Sequence, residues 1–113
     1  MQNLFKFDKL NFITAGMPIR TGKGSYPQAF DVLKEMNLDG MELEFVHGVR
    51  MSGDNRIFVK EMAKNFVITA HGPFYINLNS KEEEKIEASV QRIIDTAAVA
   101  AQAGAFSLSL IHI

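Results

Sequence analysis

Phe66-Val67-Ile68-Thr69-Ala70-His71-Gly72-Pro73 decides how this chain reads. Six residues rich in β-branched and aromatic side chains form a buried strand, and Gly-Pro ends it. On a strand Val67, Thr69 and His71 share one face, while Ile68 and Ala70 share the other. The polar face therefore ends on a histidine at the strand's C-terminal tip. In a parallel-strand barrel that tip is where catalytic residues gather. His71 can act as a metal ligand or a general base. A core histidine bonded to a carbonyl is the plainer alternative.

The same grammar extends in both directions. Strand one covers about Asn11 to Ala15 and ends at Gly16-Met17-Pro18. Ser25 opens a helix, with Gln28 at capping-box spacing, Pro27 in the first turn, and an apolar stripe of Phe30, Leu33 and Met36. Strand two covers Gly40 to Val46. A loop from His47 to Asn55 leads to helix Arg56 to Asn65, with Phe58, Met62 and Ala63 inward. After strand three, Ser80 caps a third helix, Glu83 takes the capping-box position, and Glu82 to Glu84 suit the dipole. Its inner face is expected to carry Ile86, Val90, Ile93, Ala97 and Ala101, and Gly104 stops it. A fourth strand begins at Phe106.

Strand–helix alternation with crossovers of this length implies parallel strands and right-handed connections. Periodicity alone leaves open barrels and doubly wound sheets alike. At 113 residues the chain is less than half of a typical eight-stranded barrel of roughly 250 residues. Apolar content of 47% and charged content of 22% are ordinary globular values. The absence of cysteine excludes disulfides, thiolate metal sites and a cysteine nucleophile. The N-terminus lacks the apolar core of a signal peptide, and no stretch approaches the ~20 apolar residues of a membrane span. A cytoplasmic protein is the expectation.

Further candidates lie at the same end of the strands. Glu42 and Glu44 share a face of strand two, with Glu44 nearer the tip. Carboxylates on a strand buried on both sides need a partner, either a metal or a neighbouring Arg or Lys. The loops at the strand C-termini hold Arg20, Lys23, Arg50, Arg56 and Lys81 against Asp54. That is a local charge of +4 in a chain of net charge -1, with Phe74, Tyr75, Asn77 and Asn79 among them. Cations interleaved with aromatics suit a nucleic-acid backbone, and ordinary solvated loops would look the same. Thr21-Gly22-Lys23-Gly24-Ser25 is no phosphate loop, because glycine follows the lysine and Gly16 is one residue too far upstream. His112 falls on the apolar face of strand four with Phe106, Leu108 and Leu110, away from the mouth.

Three stretches together resemble the endonuclease IV family of apurinic/apyrimidinic endonucleases, which share the xylose-isomerase-like barrel. They are Phe12-Ile13-Thr14-Ala15-Gly16, Glu44-Phe45-Val46-His47-Gly48-Val49-Arg50-Met51-Ser52, and Thr69-Ala70-His71-Gly72-Pro73-Phe74-Tyr75-Ile76-Asn77-Leu78. The resemblance implies an α/β fold, the N-terminal half of a TIM (β/α)8 barrel, with about four βα units in a single domain over residues 1–113. It implies zinc held by His, Glu and Asp at strand ends, and cleavage of DNA 5′ to an abasic site. By resemblance His71 matches the first zinc ligand, and Phe74 matches a tyrosine that inserts into DNA. Arg20, Arg50, Tyr75 and Asn77 become DNA-binding candidates, and Glu44 a catalytic candidate. The family pattern Gly-Ala-x-Ser-x-x-x-His would place a second ligand at 111, where this chain has Ile111, with His112 one residue late. A sugar isomerase or epimerase of the same superfamily is the alternative. An open half-barrel standing alone would lack nuclease activity and could self-associate through its free strand edges.

Overall fold

The computed structural model describes residues 8–46 and 48–110; His112 therefore lies outside the described residues. Four parallel strands form one sheet in the order β1 (Ile13–Ala15), β2 (Gly40–Glu44), β3 (Val67–His71) and β4 (Leu108–Ser109). The connections are α1 (Tyr26–Glu35), α2 (Gly53–Met62) and α3 (Glu83–Gln102).

The strand order separates the two architectures that periodicity left open. Sequential strands are sheet neighbours throughout, with no reversal of order, whereas a doubly wound sheet needs a switch point. Phe30 and Leu33 of α1, Val59 of α2, and Val99 and Ala100 of α3 join Met41, Leu43, Ile68 and Ala70 in one core. The helix-bearing face of the sheet therefore carries Met41, Leu43, Ile68 and Ala70. The other face carries Glu42, Glu44, Thr69, His71 and Ser109, all exposed or half-buried. Helices on one face and a polar row on the other is the layering of consecutive barrel strands.

Local signals act where expected at several ends. The Ser25 N–H donates to Gln28 Oε1 at 2.8 Å, with Pro27 in the first turn of α1. Gly104, at φ +82°, follows the C-cap of α3. Phe30 packs edge-on against Phe58 at 5.9 Å and Phe66 at 5.1 Å between ring centroids, tying α1 and α2 to the base of β3.

Elsewhere the structure departs from the expectations. Met36 is 46% exposed, because α1 ends at Glu35 and Asn37 turns the chain at φ +56°. α2 starts at Gly53 rather than Arg56, since Ser52 Oγ accepts the Asn55 N–H at 3.2 Å and caps it. Arg56 is thus a helix residue, donating to the Met51 carbonyl at 2.9 Å and to Gln102 Oε1 at 2.9 Å. Ser80 turns the chain ahead of α3 by accepting the Glu82 N–H at 3.1 Å, and Glu82 itself is the N-cap. The buried face of α3 is rotated from the one expected. It carries Ser89, Thr96, Val99 and Ala100, while Val90, Ala97 and Ala101 are exposed. The two buried hydroxyls are satisfied: Ser89 Oγ accepts from the Asn77 N–H at 2.9 Å, and Thr96 Oγ1 donates to the Arg92 carbonyl at 2.6 Å. Among the described residues no helix is long and apolar enough to cross a membrane.

Candidate functional site

The register of the sheet builds the site. Glu44 pairs with His71, and His71 pairs with Ser109, so these three stand in one row at the C-terminal ends of β2, β3 and β4. Glu42 and Thr69 form the next row down, beside Ala15 of β1. Side chains in one row of a parallel sheet point the same way, so five polar groups converge on the helix-free face.

These groups bond to one another across the strands. Thr69 Oγ1 donates to Glu42 Oε2 at 3.1 Å. His71 Nδ1 lies 3.0 Å from Ser109 Oγ. Glu44 has its carboxyl pushed above the ordinary range of about 4.5, first by desolvation, then by a hydrogen bond and like charge from Glu42. His71 pulls the other way. Glu42 and Glu44 form no ion pair with Arg or Lys among the described residues, so the cross-strand salt bridge open at the sequence level does not occur there. Gly16 gives the Glu44 stem room, since a Cβ at that position would stand 3.2 Å from Glu44 Cγ.

The loop after β3 is pinned from below. Pro73 and Ile76 are fully buried, and the Asn77 N–H is held by the buried Ser89. Phe74 and Tyr75 remain 47% and 40% exposed at the mouth. Their rings meet edge-to-face at 5.3 Å between centroids, and the Arg92 guanidinium stands 4.6 Å over the Tyr75 ring. Asn77 Oδ1 accepts the Asn79 N–H at 3.0 Å, so its side chain shapes the loop as well as lining it.

The cations are less concentrated than their loop positions imply. Arg20 pairs with Glu35 at 3.4 Å, and Arg56 braces α2 against α3. Arg50 is exposed beside the mouth. The helix starts add acids to the same end of the strands, Asp54 in α2 and Glu83 and Glu84 in α3, while Glu82 pairs with Lys85. Ser89, Arg92 and Ser109 are the contributors that motif reading did not single out. Alternation along strand four did put Ser109 on the His71 side; nothing in the local pattern of α3 marked Arg92.

The donor types suit a zinc or other divalent ion only in part. His71 and Glu44 are adjacent in the row and chemically suited to one. Among the described residues no three His, Asp or Glu side chains gather to hold a metal.

Residues 30–112 match the model of the xylose isomerase-like TIM barrel family. The chain belongs to that family. A curated protein of Methanocaldococcus jannaschii, itself uncharacterized, is 50% identical over 90 residues, which is 80% of this chain and 32% of the relative. The chain thus spans about a third of the length of the relative it matches. No solved structure matches it. In the xylose isomerase-like barrel the four strands seen here are consecutive staves, and the row Glu44–His71–Ser109 lies at their C-terminal ends, the end at which TIM barrels in general carry their active sites.

Proposed function

We propose that this chain is the N-terminal part of a metal-dependent phosphodiesterase of the endonuclease IV type, acting on DNA at abasic sites. One observation carries the reading. His71, at the tip of β3, stands beside Glu44 and leads directly into the loop that presents Phe74 and Tyr75. His71 and Glu44 would hold one zinc ion. The remaining ligands would come from the part of the relative's length that this chain does not span. When bound, the metal supplies Lewis acidity toward the phosphate. The chain's own residues do the rest. Phe74 and Tyr75 offer ring surface on which a base flanking the gap stacks, worth about 1–3 kcal/mol per base. Their pinned loop is ordered before binding, so little entropy is lost on contact. Arg50 and Lys23 would meet backbone phosphates.

A sugar isomerase or epimerase is the second reading. It is favoured by the paired carboxylates Glu42 and Glu44. One experiment separates the two. The chain replaces the corresponding third of the M. jannaschii relative, and the chimera is assayed on an abasic duplex and on a panel of aldoses and ketoses. Chelator-sensitive cleavage of the duplex, lost in His71→Ala, supports the nuclease. Sugar interconversion without cleavage supports the isomerase, and neither activity overturns both. The 113-residue chain by itself is expected to cleave nothing, because two donors do not close a four-coordinate site.

A further inference from the structure

Ser109 is the inner-face residue of β4 that lies level with His71. Its hydroxyl stands 3.0 Å from His71 Nδ1 and donates to the Ala70 carbonyl oxygen at 3.4 Å. One arrangement satisfies both contacts at once: the hydroxyl proton on the Ala70 carbonyl oxygen and the ring N–H on Ser109 Oγ. Toward the imidazole the hydroxyl then offers lone pairs alone. In that arrangement Nδ1 of the neutral ring carries the proton and Nε2 keeps its lone pair. Among the described residues Nε2 has no hydrogen-bond partner.

We infer that Ser109 is a positioning residue that holds neutral His71 in the Nδ1–H tautomer, leaving Nε2 as the free lone-pair donor at the mouth. A free histidine in water prefers the opposite tautomer, with the proton on Nε2. The neighbouring strand therefore reverses the ring's ordinary preference. The consequence is chemical: only an unprotonated nitrogen can take a proton or coordinate an ion, and its partner's hydrogen bond fixes which nitrogen that is. The inference goes beyond the nuclease reading, since it rests on the β3–β4 register and not on any substrate.

The test is long-range proton–nitrogen correlation NMR on the 113-residue chain at about pH 8.5, where an ordinary imidazole is neutral. The chain has three histidines, and the His71 signals are assigned by their loss in His71→Asn. In the wild type, Nδ1 should show the protonated signature and Nε2 the unprotonated one. Ser109→Ala should shift the tautomer ratio toward Nε2–H by roughly fivefold, the size of one neutral hydrogen bond. Ser109→Thr keeps the hydroxyl and should restore the wild-type pattern, a rescue that packing alone would not produce. Two results overturn the inference: a wild-type ring already in the Nε2–H form, or a Ser109→Ala spectrum identical to wild type. The wild-type measurement decides on its own even where Ser109→Ala fails to fold. Because the readout needs neither DNA nor metal, it can hold while the chimera fails to cleave, and the reverse.

Discussion

Gly40 is the position where one methyl group should do most damage. It opens β2 between Ile13 of β1 and Val67 of β3. A Cβ there would stand 1.8 Å from the Val67 carbonyl oxygen, 2.6 Å from its carbonyl carbon and 2.8 Å from its nitrogen. All three are backbone atoms, so no side chain can rotate away. Restoring ordinary contact requires β2 and β3 to move apart by about 1.6 Å, since unstrained contacts begin near 3.4 Å. The Val67 N–H to Asp39 carbonyl bond, now 2.8 Å, would be stretched past hydrogen-bonding range. Losing that bond costs about 1 kcal/mol, and overpacking typically costs 1–3 kcal/mol more. Gly40→Ala should therefore destabilise by about 3 kcal/mol, a large part of the 5–15 kcal/mol that holds a domain together. Gly53→Ala is the control, because a Cβ there meets nothing within 4 Å and the site is in the first turn of α2. It should be neutral or stabilising by about 0.4–1 kcal/mol. Urea unfolding followed by circular dichroism measures both through the midpoint at constant slope. A Gly40→Ala midpoint within about 0.5 kcal/mol of wild type would refute the strand packing on which the whole inner row depends.

Three further outcomes follow from the same structure. Ile76→Ala removes the buried anchor of the aromatic loop and should cost about 2–5 kcal/mol, with hydrogen exchange rising first across residues 72–79; unchanged exchange there would show that the loop is held otherwise. Ser52→Ala removes the cap of α2 and should cost about 1 kcal/mol, read in the same urea assay against Ser52→Asp, which keeps an acceptor and should recover most of it. Glu44 has a folded pKa raised above its ordinary 4.5, so its protonated form favours the fold and that contribution is lost as pH rises from there through the raised value. Glu44→Gln should remove that decline. A wild-type and Glu44→Gln pair with parallel stability profiles from pH 4 to pH 7 would contradict the shift.

Much of the framework can be read directly from the chain because its signals are local. A capping residue and its partner three positions on, as in Ser25 and Gln28, act within one turn. Gly104 ends α3 through its own backbone freedom. Alternation by two placed Thr69 and His71 on one face of β3, and the register bears this out. The helix face turned inward is another matter. On α3 the apolar periodicity favoured Ile86, Val90, Ile93, Ala97 and Ala101; Ile86 and Ile93 are half-buried, the other three are exposed, and Ser89, Thr96, Val99 and Ala100 are the residues buried. The loop from Gly72 gives the buried Ser89 its partner, since the Asn77 N–H donates to Ser89 Oγ.

The sequence by itself determined the succession of elements, their parallel sense and the placing of His71 at a strand tip. These depend on period, caps and breakers, which operate over a few residues. Only the tertiary structure decided which architecture they build, because strand order is a relation between segments tens of residues apart. It also decided the company His71 keeps. Ser109 is 38 residues away in the chain and 3.0 Å away in space. The charge at the mouth was decided in the same way. Of the cations counted along the loops, Arg20 pairs with Glu35 and Arg56 bonds to Gln102 of α3. A charge acts through distance in space, and distance in space is what a linear pattern does not contain.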